Sequence, residues 1–162
     1  MTEKITPCLW FDGKAEEAAR FYASIFPDSR IDHVQRNVTD SPSGPAGTVL
    51  IVSFTLAGRP FLALNGGMTF EFTPAVSLSI DCADQVEVDR YWQALSDGGA
   101  EQQCGWLTDR YGVPWQIVPS AMPRMLADAD REKAARVMQA MMGMVKLDIA
   151  TLQHAYDGKA GD

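Results

Sequence analysis

Side chains able to perform acid–base or nucleophilic chemistry are few in this 162-residue chain. The two histidines are isolated, His33 on an expected strand and His154 in an expected C-terminal helix, and such residues are more often structural than catalytic. Cys8 has no cationic neighbour in sequence to lower its pKa, which favours an inert thiol. Glu71 and Asp81 could act as bases, but they fall in an expected loop and at a strand end, where carboxylates are commonly solvated. No serine-hydrolase elbow, HExxH helix or phosphate-binding glycine loop occurs in the sequence.

Composition narrows the classes of partner. Fourteen Lys and Arg residues against 21 Asp and Glu give a formal net charge of −7, which repels phosphate backbones, so nucleic acid is not an expected partner. The cysteines Cys8, Cys82 and Cys104 are odd in number and form no CxxC pair, which favours reduced thiols over a disulfide frame or zinc site. No apolar run reaches membrane-spanning length, and the first residues lack the features of a signal peptide. We therefore expect a cytoplasmic protein with no membrane partner.

An internal repeat indicates how the chain is organised. The letters GRPF at residues 58–61 precede Leu-Ala-Leu, and GVPW at residues 112–115 precede Gln-Ile-Val. A repeat of this kind predicts one module built twice. The two turns are offset by 54 positions and the expected opening strands by 71. The difference predicts an insertion in the first module, in the loop rich in Asp, Ser, Pro and Gly at residues 39–47.

Both halves show the same order of expected elements. The first half reads as strand, helix, strand, loop and hairpin, at residues 5–11, 15–26, 29–38, 39–47 and 48–64. In the second half, Asp84 with Glu87 three residues later predicts the start of a helix, and Gly98-Gly99 predicts its end. The strands around that helix are expected at residues 75–81, 101–107 and 115–118.

The residues after Pro119 have no counterpart in the first half. Their pattern predicts helices at residues 124–127, 130–144 and 148–156. The central helix places five apolar residues at core spacing: Ala134, Val137, Met138, Met141 and Met142. A methionine stripe can also be a deformable surface for a partner protein, but core or dimer packing is the favoured interpretation.

Several segments resemble the PhnB-like branch of the vicinal oxygen chelate superfamily, which includes glyoxalase I, fosfomycin- and bleomycin-resistance proteins and extradiol dioxygenases. The resemblance is carried by the motifs ITPxLWFDG at residues 5–13, AEEAxxFYxxIF at 15–26, DRYGVPWQ at 109–116 and AARVMQAM at 134–141. It implies an α+β fold of paired βαβββ modules with a C-terminal helical extension, and a homodimer. We expect one domain over residues 1–162, with modules at 1–67 and 75–119 and the extension at 120–158. Members often carry the label of a 3-demethylubiquinone 3-methyltransferase domain, but no glycine-rich loop follows the first strand to hold S-adenosylmethionine.

In metal-dependent relatives, the ligands project from the first and last strands of each module. The resemblance places these positions at Thr6, Leu62, Ser77 and Gln116. Divalent metals in such sites bind imidazole nitrogen or carboxylate oxygen, and a hydroxyl, amide or aliphatic side chain is a weak or absent ligand. We therefore expect neither a metal nor another cofactor at this site.

Strand alternation predicts a cavity face of polar and aromatic residues. Its expected members are Thr6, Cys8, Trp10, Asn65, Ser77, Ser79 and Gln116. Hydroxyl and amide groups beside an indole suit a small organic molecule held by hydrogen bonds and stacking, so we expect metal-independent binding of such a molecule. An equally weighted interpretation is that these groups satisfy one another and water.

Two other functions remain open from the sequence. One is an enzyme of the same superfamily, a lyase, isomerase or oxygenase, with a displaced metal site built from His33 or acidic residues. The other is an interaction protein that uses Met138, Met141, Met142 and Met144. The sequence leaves open whether the chain catalyses any reaction.

Overall fold

The computed structural model describes residues 3–158 and divides the chain into two compact units. Unit 1 comprises Met1–Glu71 and unit 2 comprises Phe72–Asp162. The elements of unit 1 are β1 (Cys8–Phe11), α1 (Ala15–Ile25), β2 (Arg30–Arg36), β3 (Val49–Leu56) and β4 (Arg59–Asn65). Those of unit 2 are β5 (Leu78–Cys82), α2 (Gln85–Ser96), β6 (Ala100–Glu101), β7 (Trp106–Thr108), β8 (Pro114–Pro119), α3 (Ala121–Leu126), α4 (Arg131–Met142) and α5 (Ile149–Asp157).

Unit 1 is a four-stranded sheet with one helix against one face. The strand order is β1-β4-β3-β2, and β1 runs parallel to β4 while the other pairs are antiparallel. Small residues at helical spacing let α1 approach the sheet closely, and its Ala15, Ala18 and Tyr22 are buried together with Val52 and Phe54 of β3. The opposite face of the sheet carries no helix of unit 1 and keeps its side chains partly exposed.

Unit 2 repeats this arrangement. Its strand order is β5-β8-β7-β6, with β5 parallel to β8. Asp84 caps α2 as predicted, because its side chain accepts from the Glu87 backbone N–H across 2.9 Å. The buried residues of α2 are Val88, Tyr91, Trp92 and Leu95. The predicted fold class, α+β with paired βαβββ modules, is confirmed.

The register explains the two offsets seen in the sequence. Cys8 lies opposite Leu62 in unit 1, and Ser79 lies opposite Gln116 in unit 2. First strands are therefore related by 71 positions and last strands by 54. The extra residues of unit 1 lie in the hairpin between them. β2 and β3 have seven and eight residues against two and three in β6 and β7, and the connecting loop at 37–48 is longer than the turn at 102–105.

The predicted strand at residues 101–107 is wrong, because two short antiparallel strands and a turn occupy that segment. Cys104 and Gly105 both adopt positive φ, at 62° and 82°. Their backbone N–H groups donate to Met144 and Val145 carbonyls of the extension rather than to a sheet partner. A Cβ at Gly105 would lie 2.8 Å from the Leu147 side chain, so the turn requires glycine there.

The helical extension is confirmed, with changes in its packing. Its core consists of Met122, Met125, Val137, Leu147 and Leu152. Met138 and Met142 do not belong to the core as their spacing predicted, because their exposed fractions are 47% and 55%, and packing between two copies stays a prediction for them. They lie one turn apart on α4, on the side away from buried Val137, whereas Met141 packs against the core partly buried.

Gln85 joins the extension to α2. Its side-chain amide donates to the Leu147 carbonyl at 3.1 Å, and its carbonyl accepts from the Ile149 N–H at 2.8 Å. The start of α5 is thereby attached to the start of α2. Among residues 3–158, none of the helices has the length and apolar character that crossing a bilayer requires.

Candidate functional site

The face of the unit 2 sheet opposite α2 brings together four side chains of interest. Ser79, Gln116 and Trp106 are register partners on β5, β8 and β7, and cross-strand partners project from the same face. Ser77 precedes β5, and its hydroxyl accepts from the Gln116 amide across 3.0 Å. We call these four residues, Ser77, Ser79, Trp106 and Gln116, the unit 2 open face. Their neighbours Leu107, Trp115 and Ile117 point the other way and are buried.

Trp106 differs from the other tryptophans in its hydrogen bonding. Trp10 donates to the Met68 carbonyl at 2.8 Å, Trp92 to Glu101 at 2.8 Å, and Trp115 to Asp109 at 2.9 Å. In the part of the chain that the structure describes, the indole N–H of half-buried Trp106 has no protein acceptor. Tryptophan N–H groups in partly buried positions usually find a partner. The unit 2 open face therefore presents a free donor beside a ring surface.

A carboxylate lies at one end of this face. Asp81 follows Ser79 on the same side of β5 and accepts from the Ser120 hydroxyl at 2.7 Å. Its register partner Val118 packs against the core of the helical extension. The extension thus borders one end of the face, and the four residues of the face carry no formal charge.

The helix-free face of unit 1 is more apolar. Two rows of register partners cross it: Cys8, Leu62, Ser53 and His33 in one, and Trp10, Leu64, Ile51 and Gln35 in the next. Thr6 precedes β1 and is partly buried. Partial burial raises the pKa of the Cys8 thiol, so it stays protonated at neutral pH, as expected for an inert cysteine.

Trp10 is covered in part by its own unit. A Cβ at Gly66 would lie 1.8 Å from the indole, which shows how closely that backbone approaches the ring. Phe70 meets the same ring edge-on, with centroids 5.1 Å apart. With its N–H bonded to Met68, Trp10 is a packing residue of segment 66–70 as well as a member of the helix-free face of unit 1.

Asn65 lies on the helix-covered side of β4, away from Cys8 and Trp10, and is 5% exposed. Its carbonyl oxygen accepts from the Ala15 N–H at the start of α1, and its amide donates to the Val49 carbonyl. These bonds tie α1 to β3 and β4. The structure therefore gives Asn65 a structural role and does not bring it to the helix-free face of unit 1.

The family model for 3-demethylubiquinone-9 3-methyltransferase matches residues 3–118. The chain belongs to this PhnB-like family. The PhnB protein from Bacillus cereus is 39% identical over 72% of this chain and 99% of its own, with a TM-score of 0.66. The predicted resemblance to the PhnB-like branch is confirmed, and the match ends at Val118, before α3.

Two more distant structures share the fold. A protein from Pseudomonas aeruginosa is 23% identical, over 73% of this chain and 98% of its own, with a TM-score of 0.55. The fosfomycin resistance protein FosX from Listeria monocytogenes is 14% identical, over 74% of this chain and 93% of its own, with a TM-score of 0.50. No curated protein matches the chain.

The family label implies S-adenosylmethionine, and the residues of this PhnB-like chain do not fit it. The turn from β1 to α1 is Asp12-Gly13-Lys14. It contains a single glycine and is therefore not the glycine-rich loop that binds a nucleotide-like cofactor. Both sheets are mixed, four-stranded and covered by a helix on one face, rather than a parallel doubly wound sheet. We therefore derive no methyl-transfer step.

The superfamily also implies a divalent metal, and the donor set does not fit one. Leu62 has no donor atom, and the Ser77 hydroxyl is hydrogen-bonded to Gln116. Among residues 3–158, no three His, Cys, Asp or Glu side chains are placed to share an ion. Buried Cys82 is unsuited as well, because desolvation, followed by nearby Glu87 and Asp81, raises its pKa to about 12.

Trp106 is the residue that sequence reasoning missed. It fell within the predicted strand at 101–107, so its partner was not identifiable. The internal repeat is the signal that could have identified Trp106. The GxP turn fixes the last strand of each module, and the strand before the turn must pair with that last strand in antiparallel fashion. Trp106 then falls opposite Gln116.

Proposed function

We propose that this PhnB-like protein binds a small, neutral organic molecule on the unit 2 open face, without a metal. The observation that carries the proposal is the free indole N–H of Trp106 beside the Gln116 amide. A ligand acceptor atom would satisfy the N–H, and the indole ring would stack on an unsaturated or aromatic part of the ligand.

The uncharged lining supports a neutral ligand. Ser77, Ser79, Trp106 and Gln116 offer hydroxyl, amide and indole groups, and the carboxylate of nearby Asp81 already accepts from Ser120. A carboxylate or phosphate ligand would find no cation among these residues. A phenol or a similar neutral molecule with a ring and one hydroxyl matches the groups present.

The donor chemistry supports metal-independent binding. The resemblance to metal-dependent relatives implies ligand positions at Gln116 and Ser77, and the hydrogen bond between these two side chains supports a role in orienting an organic ligand instead. The alternative of a displaced site built on His33 gains no support from the described residues, since His33 lies on β2 beside Ser53, with no cluster of three donors.

Phenol is a suitable probe for this proposal. Titration by calorimetry in the presence of EDTA is expected to show one saturable event. Gln116→Leu removes the amide and is expected to weaken phenol binding about tenfold, as the loss of one or two hydrogen bonds implies. Gln93→Leu is the matched control, because Gln93 is an exposed residue of α2 in the same unit. Equal affinities of the two variants, or no binding by the parent protein, would overturn the proposal.

A cytoplasmic homodimer remains the expected state of the protein. Exposed apolar side chains, including Phe70 at 57% and Val76 at 76%, support association between copies. Analytical ultracentrifugation tests it: a single species at twice the chain mass of 17.8 kDa is expected, and a monomer at micromolar concentration would contradict it.

A further inference from the structure

A second cleft lies wholly within unit 1, at the end of the sheet where β1 and β4 finish and α1 begins. Its volume is about 490 Å³. Gly13 of the β1–α1 turn, Arg36 of β2, Val49 of β3 and Asn65 of β4 line it, together with the 43–48 part of the long loop. Arg36 and Val49 are register partners, so the cleft opens beside the last pair of the β2–β3 hairpin.

Arg36 supplies the formal charge of this lining. One of its amino groups, Nη1, donates to the Gly47 carbonyl at 3.1 Å, which holds the guanidinium over the loop. In the described residues it has no carboxylate partner, in contrast to Arg20 with Glu16 and Arg30 with Asp32. Its Nε and Nη2 donors are therefore available, and a guanidinium fork matches the geometry of a carboxylate or phosphate.

The start of α1 adds to the positive character. The N-cap residue, Lys14, makes no side-chain cap, and the Asn65 side-chain oxygen accepts from the Ala15 N–H. The aligned peptide dipoles place partial positive charge at this end of the helix. The two acidic residues of the first turn are each paired with a cation, Glu16 with Arg20 at 2.9 Å and Glu17 with Lys14 at 3.6 Å. Their repulsion of an anion is thereby reduced.

The loop that forms the far wall is held by its own hydrogen bonds. Asn37 is 5% exposed, and its side-chain amide donates to the hydroxyls of Ser43 and Thr48 while its carbonyl accepts from the Ser41 hydroxyl. The Gly47 N–H donates to the Asn37 backbone carbonyl at 2.7 Å. Because these hydrogen bonds already hold the loop, little of its backbone has to be ordered when a ligand enters. The entropic cost of binding is lowered accordingly.

We propose that this cleft binds the oxyanion group, a carboxylate or a phosphate, of a small molecule. Arg36, an exposed residue at the end of β2, is the anchoring residue, and Gly13, which precedes α1, lines the cleft together with it. In a chain of net charge −7, such a place is where an anion finds local attraction. The proposal concerns unit 1 alone and does not depend on the unit 2 open face.

We test the proposal by nuclear magnetic resonance. The ¹⁵N-labelled protein is titrated with sodium phosphate, and sodium chloride holds the ionic strength constant. We expect saturable shifts of the Gly13, Gly44 and Gly47 amides with one dissociation constant. A parallel titration with sodium acetate distinguishes the two oxyanions, since the preferred one saturates at the lower concentration.

Two variants sharpen this test. Arg36→Gln is expected to raise the dissociation constant about tenfold or more, because charge-assisted hydrogen bonds are lost. Arg59→Gln is the control: Arg59 is an exposed arginine of the same unit, at the β3–β4 turn, and its loss should leave binding within about twofold. Equal dissociation constants for the two variants would overturn the proposal. If Arg36→Gln fails to fold, the parent protein alone decides. The proposal is overturned if phosphate leaves the amide resonances of the cleft unchanged, or if their shifts never saturate.

Discussion

The side-chain amide of Gln116 donates to the Ser77 hydroxyl across 3.0 Å, joining the last strand of the second module to the residue before its first strand. The bond leaves the second amide proton and the carbonyl oxygen of Gln116 for a ligand. It also fixes the Gln116 side chain next to Trp106, its neighbour on β7. Ser77 and Gln116, which the resemblance places at metal-ligand positions of metal-dependent relatives, here form a neutral, hydrogen-bonded pair.

Ser77→Ala should destabilise the protein modestly and loosen Gln116. Loss of one partly buried neutral hydrogen bond is expected to lower the free energy of unfolding by about 1 kcal/mol. Ser79→Ala is the matched control, because Ser79 is an exposed serine two residues further along, on β5, and in the described residues its side chain has no hydrogen bond to lose. Urea denaturation of both variants measures the difference, and equal stabilities would contradict the structural role of the Ser77–Gln116 bond.

Asp109→Ala should be much more damaging, because Asp109 organises the β7–β8 turn. Its carboxylate is 3% exposed and accepts from the backbone N–H groups of Tyr111 and Val113 and from the Trp115 indole. Removing it leaves buried donors unsatisfied, at a cost of about 3 kcal/mol in the free energy of unfolding. Asp97→Ala, which removes an exposed carboxylate paired with Arg110 at 3.2 Å, should cost less than about 1 kcal/mol. Chemical denaturation compares the two, and a loss below about 1 kcal/mol for Asp109→Ala would refute its structural role.

Gly66→Ala should displace the Trp10 indole. The added Cβ would lie 1.8 Å from a ring carbon, and overpacking of this kind costs about 2 kcal/mol. Gly143→Ala is a matched control, since its added Cβ would meet its nearest atom at 3.7 Å, an ordinary contact. Thermal unfolding gives the stability of each variant, and a change in tryptophan fluorescence is expected only for Gly66→Ala. An unchanged spectrum together with unchanged stability would show that the ring does not lie against Gly66.

Asp148 should make the start of α5 sensitive to acid. The Thr151 backbone N–H donates to the Asp148 carboxylate at 2.8 Å, and this bond, followed by one from the Thr151 hydroxyl, lowers the pKa of Asp148 below its ordinary value. Because the folded-state pKa is the lower one, the stabilisation is present above the unfolded-state value of about 4 and is lost as pH falls through the folded-state pKa.

Asp148→Ala is expected to cost about 1 kcal/mol at pH 7, the usual value of an N-cap. Asp148→Asn keeps a capping oxygen but cannot titrate, so its stability relative to the parent protein should rise as pH falls from 5 to about 3. Urea denaturation across this range measures the difference, and a constant difference would contradict the capping bond.

The fold was predictable where local signals agree with the pairing of strands. The GxP turns, the alanines of α1 and the Asp84 cap each indicated an element that the structure contains. The segment at 101–107 was not predictable, because its turn is held by carbonyls of Met144 and Val145, forty residues further along the chain. Met138 and Met142 were misassigned for a related reason: helical spacing defines a stripe, but only tertiary packing selects which edge of the stripe is buried.

The candidate site was predictable in part. Alternation correctly placed Cys8 with Trp10 and Ser79 with Gln116 on common faces, since strand geometry alone decides this. It could not reveal that Asn65 bonds the start of α1, or that Trp106 lies opposite Gln116, because both depend on contacts distant in sequence.

The indole N–H resonance of Trp106 reports most directly on metal-free binding at the unit 2 open face. In EDTA-treated, ¹⁵N-labelled protein titrated with phenol, the Trp106 Nε1–H resonance is expected to shift and saturate. The resonances of Trp92 and Trp115, whose N–H groups are bonded to Glu101 and Asp109, should remain in place. A Trp106 resonance that does not move, or that moves only after a divalent metal is added, would contradict the account.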